Sequence, residues 1–360
     1  MNCQKSIFRT GWGGVTNFLV NRGMETAQLP ASLLPQILTA DKLLMPDGVT
    51  SIAEHYRSFS NRNLLRNAYW AAKESIVNQL GLIEYVNSTY GQYCIDGWRS
   101  GGGVRRISLM LHSLRMVCEN TSSSAWCLIR QQIENGQEFR GQTVTFSCMY
   151  KSIEGGVPWL ELMTDTQFAT CWSAKASEDW IIASLTAVVP ESAEALSAAI
   201  ELQQRGIPGV GVDLLAAKLE LGPFQTLAHM EGNTWVLNDP PPNYALELLK
   251  CQRYFVRMKN TESSAVSIGF GSKTAHNKVA ITVPLAVPMR IKPTVKCSDP
   301  SLLRVVGSTG EQYDVTSFYG EVLSANQLRI SVTGNFSDMP YGLCVLCINS
   351  NGCIDIDANL

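Results

Sequence analysis

After about residue 60, apolar and polar residues alternate over short runs, which is the period expected of β-strands. Val144, Phe146 and Cys148 alternate with Thr145 and Ser147, so we expect a strand with one buried face and one face in water. Runs of this length separated by Gly, Ser and Asn are typical of an antiparallel β-sandwich. Further strands are predicted at residues 107–111, 126–129, 159–163, 180–189 and 212–221.

The last hundred residues show the same alternation. Apolar positions alternate at residues 279–283 and 328–332, residues 343–348 form a short apolar run, and residues 354–357 alternate Ile with Asp. These patterns predict paired strands in a second β domain. Residues 192–204 are rich in Ala and Leu and fit either a strand or a short helix.

One helix is predicted between the two β regions. Three prolines end the preceding strand, and Asn243 follows them as a helix N-cap. Tyr244, Leu248, Cys251 and Phe255 then share one helical face. The predicted fold is therefore all-β, with a jelly-roll β-sandwich, a short linking helix and a C-terminal β domain.

The chain divides into four predicted regions. Residues 1–61 carry early glycines and a leucine-rich stretch that is broken by prolines, so we expect an irregular attachment arm that docks on another protein. Residues 62–238 form the jelly roll, residues 239–256 the linking helix and residues 257–360 the C-terminal β domain.

Composition narrows the classes of function. Hydrophobic residues make up 45% of the 360 residues and charged residues 17%, which is enough apolar material for two or three domains. With a net charge of −2 and no basic run longer than two arginines, a nucleic-acid partner is not expected. The sequence contains no apolar run of membrane-spanning length and no secretory signal at its start. Eleven cysteines without regular spacing favour reduced, buried thiols.

No catalytic, metal-binding or cofactor-binding motif is evident in the sequence. Cys344 and Cys347 form a CxxC pair inside a predicted strand, where residues three apart face opposite sides. The glycine clusters at residues 101–103 and 206–211 lack the lysine of a phosphate-binding loop, so we interpret them as turns. Five carboxylates of the first β region are interpreted as solvated surface groups: Asp96, Glu161, Asp165, Asp179 and Asp213.

Tryptophans are concentrated in the first β region, at positions 98, 126, 159, 172 and 180. The flat face of an indole can stack on a sugar ring while its N–H finds an acceptor. In a sandwich, however, a large aromatic side chain more often belongs to the core, so we expect roughly two of the five on a ligand face. Trp159, Trp172 and Trp180 are the candidate ligand-binding residues.

The segment around the predicted helix resembles a known family. ALELLKCQRYF at residues 245–255, preceded by AAKLELGPFQTLA at residues 216–228, is similar to the junction found in many phage tail-fibre and prophage tail proteins. In that family a carbohydrate-binding-module-like jelly roll is followed by a short helix. Further similar segments are NLLRNAYW (63–70), IDGW (95–98), LIRQQIEN with RGQTVTFS (128–147), VPLAVPMRIKPTV (283–295) and CIDIDANL (353–360). The chain departs from the family at VNQLG (77–81), where an NQRG-like turn is common.

This resemblance implies a receptor-binding component of a virion tail. It implies a homotrimer whose distal parts attach to a glycan of the bacterial surface and whose residues 1–61 contact other tail or baseplate proteins. It does not imply an active site or a cofactor. Two alternatives stay open: a tail-associated glycan depolymerase or hydrolase, which would use paired carboxylates, and a purely structural tail or baseplate protein without a ligand.

Overall fold

The computed structural model of the protein describes residues 60–81, 83–87, 93–101, 105–119, 127–171, 174–204, 206–324 and 326–358. Within these ranges the fold is almost entirely β, which confirms the fold class predicted from the alternation. Ser60–Leu360 form one compact unit with two separate large hydrophobic cores. None of the helices in these ranges is long and apolar enough to cross a membrane.

Two six-stranded antiparallel sheets enclose the first core. Their strands, in chain order, are β1 (Glu84–Asn87), β2 (Tyr93–Ile95), β3 (Trp98–Gly101), β4 (Arg105–Leu109), β5 (Leu114–Cys118), β6 (Leu128–Ile133), β7 (Thr143–Ile153), β8 (Pro158–Met163), β9 (Gln167–Cys171), β10 (Ile181–Val188), β11 (Leu196–Leu202) and β12 (Gly211–Leu221). The first sheet has the order β1-β4-β5-β12-β7-β10 and the second the order β2-β3-β6-β11-β8-β9. The ambiguous segment 192–204 is thus strand β11, buried at every position.

Strand β7 is buried on both of its faces. Val144, Phe146 and Cys148 are each 0% exposed in the first core, as their alternation predicted. Thr145 and Ser147, on the other face, are also 0% exposed, so the expected water-facing side was wrong. The alternation of residues shows which face of a strand is polar, but it does not show whether that face is exposed. Here the polar face is covered by another part of the chain.

The cover on the first sheet comes from the chain that follows β12. The hydroxyl of Thr145 donates to the carbonyl oxygen of Gly222 at 2.7 Å. Strands β13 (Ala228–Glu231) and β14 (Thr234–Leu237) form a hairpin that contributes to a small apolar cluster with Met149 and Ala216 of this sheet. None of the three hydrophobic clusters of the described residues lies on the outer face of the second sheet.

The linking helix α1 (Tyr244–Gln252) begins where the sequence predicts. The Asn243 side chain accepts a hydrogen bond from the backbone N–H of Leu246, which confirms the predicted N-cap. The predicted helical face is shorter than expected. Cys251 is buried, but Tyr244 is 45% exposed, and Phe255 already belongs to the next strand.

The C-terminal strands form a closed barrel and a three-stranded sheet around the second core. They are β15 (Phe255–Lys259), β16 (Val266–Ala275), β17 (Lys278–Pro284), β18 (Thr294–Cys297), β19 (Leu303–Val306), β20 (Gln312–Ser324), β21 (Gln327–Gly334), β22 (Leu343–Ile348) and β23 (Cys353–Asp357). The barrel has the order β16-β17-β21-β20-β19-β22, and the small sheet the order β15-β23-β18. The predicted alternation at 279–283 and 328–332 is confirmed, because the apolar positions are at most 1% exposed.

The cysteines of the described residues are all free thiols, and eight of these ten are buried. Cys344 packs in the second core, whereas the thiol of Cys347 lies 3.5 Å from the hydroxyl of Ser267. The two members of the CxxC pair therefore face opposite sides of β22, as predicted. No group of three or more His, Cys, Asp or Glu in the described ranges is placed to hold a metal ion.

Asn67 fixes the end of the sandwich that faces helix α1. Its backbone has a φ of 50°, and its carbonyl oxygen accepts hydrogen bonds from the indole N–H of Trp70 at 3.1 Å and of Trp98 at 3.0 Å. Its side chain pairs with both the N–H and the carbonyl of Val77. Its own N–H donates to Glu247 of the helix at 2.5 Å. One residue thus ties two core tryptophans to the linking helix.

Asp96 lies at the junction between the sandwich and β15. It is 2% exposed, and its two carboxylate oxygens accept from the backbone N–H of Gln79 at 2.7 Å and from the Gln79 side chain at 2.6 Å. The Gln79 amide also donates to the carbonyl oxygen of Phe255 at 2.7 Å. Burial raises the pKa of Asp96 to about 6, so its carboxylate titrates close to neutral pH.

Candidate functional site

Trp159 lies on the outer face of the second sheet. Its strand neighbours Leu160 and Leu162 point into the core and are 0% exposed, so Trp159 and Glu161 point to the opposite side. Trp159 is half-buried and lies directly opposite Glu201 of β11. Glu161 and Glu201 are only 5% and 1% exposed, so two carboxylates are held within the surface beside the indole.

A single row of side chains crosses all six strands of this sheet. The cross-strand partners are, in order, Tyr93, Arg99, Arg130, Ala199, Glu161 and Thr170. With strands about 4.8 Å apart, the row is about 24 Å long. It carries two guanidinium groups toward β2 and a carboxylate toward β9, so the face has a positive and a negative end.

A second row lies beside the first. Gln132, Ser197 and Met163 are cross-strand partners, and Met163 pairs with Gln167 at the sheet edge. The Gln167 amide donates to Glu161 at 2.6 Å, which fixes one oxygen of that carboxylate. We call this surface the polar sheet face and define it by Tyr93, Arg99, Arg130, Gln132, Trp159, Glu161, Gln167, Ser197, Ala199 and Glu201.

Small residues occupy the middle of the polar sheet face. Ala199 and Ser197 separate the arginine end from the carboxylate end. Gly101, opposite Leu128, has no room for a side chain, because a Cβ there would lie 2.6 Å from Leu128 Cδ1. Ala199 and Ser197 are buried, at 0% and 7% exposed, so a ligand on this face would contact the partly exposed side chains around them, such as Arg130 and Trp159.

The arginine end is held by aromatic contacts. Arg99 donates from Nε to the hydroxyl of Tyr93 at 2.7 Å, and its guanidinium lies 4.8 Å from the centre of the same ring. Tyr93 in turn stacks on Phe255 of β15, with ring centres 6.5 Å apart. Burial raises the pKa of Tyr93 to about 12, so the phenol stays neutral. This end of the face is therefore rigidly supported by the linking region.

The three predicted ligand-binding tryptophans do not share one face. Trp180 immediately precedes β10 of the first sheet and packs against the small apolar cluster with Trp235. Trp172 lies outside the described residues. Of the two that are described, Trp159 lies beside the polar groups of the second sheet, and the roles of Trp172 and Trp180 stay predictions.

The interpretation of the five carboxylates as solvated surface groups is wrong for three of them. Asp96, Glu161 and Asp213 are 2%, 5% and 9% exposed. Asp213 is satisfied by the Arg115 guanidinium, with contacts of 2.9 and 2.8 Å. Sequence spacing could not reveal this, because Arg115 is supplied by a strand about a hundred residues earlier. Asp165 and Asp179 are exposed, as predicted.

A large cavity of about 880 Å³ lies between the sandwich and helix α1. Its acidic side chains are largely engaged with their neighbours. Glu134 accepts from Arg253 at 2.7 Å and from the Tyr254 hydroxyl at 2.6 Å, and Glu247 accepts from Lys250 at 2.8 Å. The Glu134 contacts join the residues that follow helix α1 to the sandwich, whereas the Glu247–Lys250 pair lies within the helix. These contacts favour a structural role for this region.

Sequence reasoning missed Arg99, Arg130 and Glu201 as members of the site. A weak signal was present in LIRQQI, where Arg130 and Gln132 alternate with apolar residues. For Glu201 no such signal exists, because the surrounding run of Leu, Ala and Ile is buried throughout. The proximity of these residues follows from the strand order, which a single sequence does not reveal.

Several solved structures are similar to part of this chain. A family 29 carbohydrate-binding module from Piromyces equi is 13% identical, with a TM-score of 0.27 over 38% of this chain and 89% of that one. A xylan-binding module of family 22 from Paenibacillus barcinonensis is 11% identical, with a TM-score of 0.28 over 45% and 96%. A family 4 module is 15% identical, with a TM-score of 0.29 over 41% and 92%. No family model and no curated protein matches the sequence. Scores this low assign neither a family nor a function.

Proposed function

We propose that the protein binds a saccharide chain on the polar sheet face. The observation that carries this proposal is the position of Trp159 next to two buried carboxylates, Glu161 and Glu201. An indole face packs on the apolar C–H side of a sugar ring. Fixed carboxylates accept hydrogen bonds from sugar hydroxyls, and the arginines at the other end donate them.

The shape of the face favours an extended ligand. The row from Tyr93 to Thr170 is about 24 Å long, which exceeds a single sugar ring several times. Its polar groups are distributed along the row instead of converging in one deep pocket. Such a surface suits a segment of polysaccharide rather than a free monosaccharide.

We further propose that the protein acts in a phage or prophage tail, where it attaches the particle to a bacterial surface glycan. This finer statement is supported by the resemblance of the segments at 216–255 to tail-fibre junctions. In this proposal residues 1–61 contact other tail proteins, and the chain forms a homotrimer. A single site with millimolar affinity has a binding free energy of only about 4 kcal/mol. Three copies held rigidly together can raise the apparent affinity for a surface about 10²–10⁴-fold.

Decoration of bacterial cells tests this proposal. Fluorescently labelled full-length protein should bind cells of a susceptible strain, and purified surface polysaccharide from that strain should displace it. Labelled protein that decorates no strain, although it assembles into tail particles, would instead support a purely structural tail component.

One observation favours a second candidate, a glycan hydrolase. Glu161 and Glu201 lie diagonally across β8 and β11, and diagonal residue positions on a sheet face are about 7–8 Å apart. Glycoside hydrolysis uses a pair of neighbouring carboxyl groups. Release of reducing ends that is lost in both Glu161→Gln and Glu201→Gln would establish this candidate, whereas binding without release would exclude it for that polysaccharide.

A further inference from the structure

Two arginines lie directly opposite each other on the polar sheet face. Arg99 of β3 and Arg130 of β6 are cross-strand partners. Residues opposite each other in an antiparallel pair have Cβ atoms about 5 Å apart, and like charges at that distance are destabilising. A third guanidinium, from Arg66, approaches the same place, because all three arginines line one small cleft. The cleft therefore concentrates positive charge.

Arg66 is 8% exposed, and no carboxylate among the described residues forms an ion pair with it. Its Nε finds no hydrogen-bond partner in the described ranges. Its guanidinium makes a long bond of 3.5 Å to the carbonyl oxygen of Gln132 and lies 3.7 Å from the centre of the Tyr254 ring. Burial lowers the pKa of its guanidinium below the usual value, as expected for a charge that has lost its hydration. A buried cation with an unused donor costs free energy unless an acceptor is supplied.

The nearby carboxylate is already engaged. Glu134 is the acidic residue that acts electrostatically on Arg66, but its two oxygens accept from Arg253 and Tyr254. Neither Arg66 nor Arg99 forms an ion pair with any carboxylate in the described ranges. The positive charges of Arg66 and Arg99 are thus not neutralised by these parts of the chain.

The cleft is small and built around a glycine. It has a volume of about 10 Å³ and is lined by Arg66, Tyr93, Gly97, Arg99, Arg130 and Gln132. Gly97 has a φ of +83°, and a Cβ there would lie 3.1 Å from Nε of Arg66. Such a volume is close to that of one water-sized group, so it fits an oxygen of a ligand's acidic group and excludes a whole sugar ring.

We propose that this cleft, the arginine cleft, binds a carboxylate of an acidic saccharide chain that lies along the polar sheet face. The proposal rests on the proposed function, since the saccharide occupies the row that joins Arg99 and Arg130 to Glu161. A guanidinium presents two N–H donors in a plane and matches a carboxylate in a bidentate geometry. Trp159 and the carboxylate end then hold neutral parts of the same chain.

Binding of a matched pair of polymers tests the arginine cleft. Polygalacturonate and its methyl ester have the same sugar backbone, but the carboxyl groups are charged in the acid form and are neutral methyl esters in the other. We expect the full-length protein to bind the acid form at least about tenfold more tightly than the ester, the effect of one charge-assisted contact. Dextran sulfate and dextran form a second pair, which shows whether a sulfate replaces the carboxylate.

Variants separate the cleft from general charge effects. Arg99→Gln and Arg130→Gln should each reduce the affinity for polygalacturonate about tenfold or more and the affinity for the methyl ester less, so that the preference for the acid form falls. Arg304→Gln, in β19 of the barrel, removes a guanidinium outside the polar sheet face and should change neither affinity. Because Arg66 is buried, the third variant is the conservative Arg66→Lys, which keeps the positive charge but loses the planar pair of N–H donors.

The outcomes distinguish the two proposals. Equal binding of the acid and ester forms, with loss of both in Trp159→Ala, would overturn the arginine cleft and leave the saccharide-binding face intact. A preference for the acid form that survives in Arg99→Gln and Arg130→Gln would also overturn it and assign the charge effect to another surface. Failure of all four polymers to bind would contradict both proposals.

Discussion

Trp159 lies directly opposite Glu201 across β8 and β11, on the outer face of a sheet whose inner face forms the first core. We predict that Trp159→Ala weakens saccharide binding about tenfold, because stacking of an indole is worth about 1 kcal/mol or slightly more. The melting temperature should change little, since Trp159 belongs to none of the hydrophobic clusters. Isothermal titration and thermal unfolding of the same samples measure both effects.

Trp180→Ala is the matched control for this change. Trp180 packs with the apolar cluster on the first sheet, so its removal should lower stability and leave affinity unchanged. The opposite pattern, with affinity lost in Trp180→Ala and retained in Trp159→Ala, would place the ligand on the first sheet.

The stability of the protein should depend on the protonation of Asp96. Its pKa is raised from 3.8 to about 6 by burial, so the folded state binds a proton that the unfolded state has released. Protonated Asp96 therefore contributes about 3 kcal/mol to the free energy of unfolding. This contribution is fully present below about pH 4 and is lost as the pH rises through about 6. Urea unfolding of the wild type and of Asp96→Asn at pH 4.5 and pH 7.5 measures it.

The comparison isolates Asp96 from the other titrating groups. The amide of Asp96→Asn keeps an acceptor for the Gln79 N–H and cannot ionise, so its stability relative to the wild type should be greater at pH 7.5 than at pH 4.5. A constant difference between the two proteins at both pH values would show that Asp96 titrates normally in the folded state.

Lys273 should be important for the stability of the barrel. It is 6% exposed, and its ammonium group donates to the carbonyl oxygens of Phe336 at 2.6 Å, Ser337 at 3.2 Å and Met339 at 2.7 Å. Lys273→Met leaves these carbonyl oxygens without their donor and should lower the free energy of unfolding by about 2–4 kcal/mol. Lys278→Met, at an exposed position, should lower it by less than about 0.5 kcal/mol. Equal denaturation midpoints for the two variants would contradict this role.

Asn67 should be more sensitive to substitution than other asparagines with positive φ. Asn67→Ala removes the side-chain hydrogen bonds to Val77 and strains a backbone with a φ of 50°. We expect it to lower the free energy of unfolding by about 3 kcal/mol or more. Asn351 has a similar φ of 64° but an exposed side chain, so Asn351→Ala should lower the free energy of unfolding by about 1 kcal/mol. Chemical denaturation of both variants checks the difference.

Much of the fold could be predicted from local patterns. The alternation at 279–283 and 328–332, the N-cap at Asn243 and the inward positions of Val144 and Phe146 each depend on a few neighbouring residues, and all are confirmed. These patterns are local consequences of strand and helix periodicity. They do not contain the order of the strands in a sheet.

The candidate site depends on the order of the strands in the second sheet, which local patterns do not reveal. Arg99, Arg130, Glu161 and Glu201 become neighbours only because β3, β6, β11 and β8 lie side by side, although they are separated along the chain. The same limit explains why Thr145 and Ser147 were expected in water, since the cover over them comes from the chain after β12. Tertiary contacts of this kind decide which polar faces stay open to a ligand.

Hydroxyl-radical footprinting of the full-length protein, with and without the saccharide that binds most tightly, tests the polar sheet face most directly. The account predicts that bound saccharide strongly reduces oxidation of Trp159 and Met163 on that face, while oxidation of Trp180 and Trp235 on the first sheet is unchanged. Protection of Trp180 and Trp235, with Trp159 oxidised as fast as in the free protein, would contradict it.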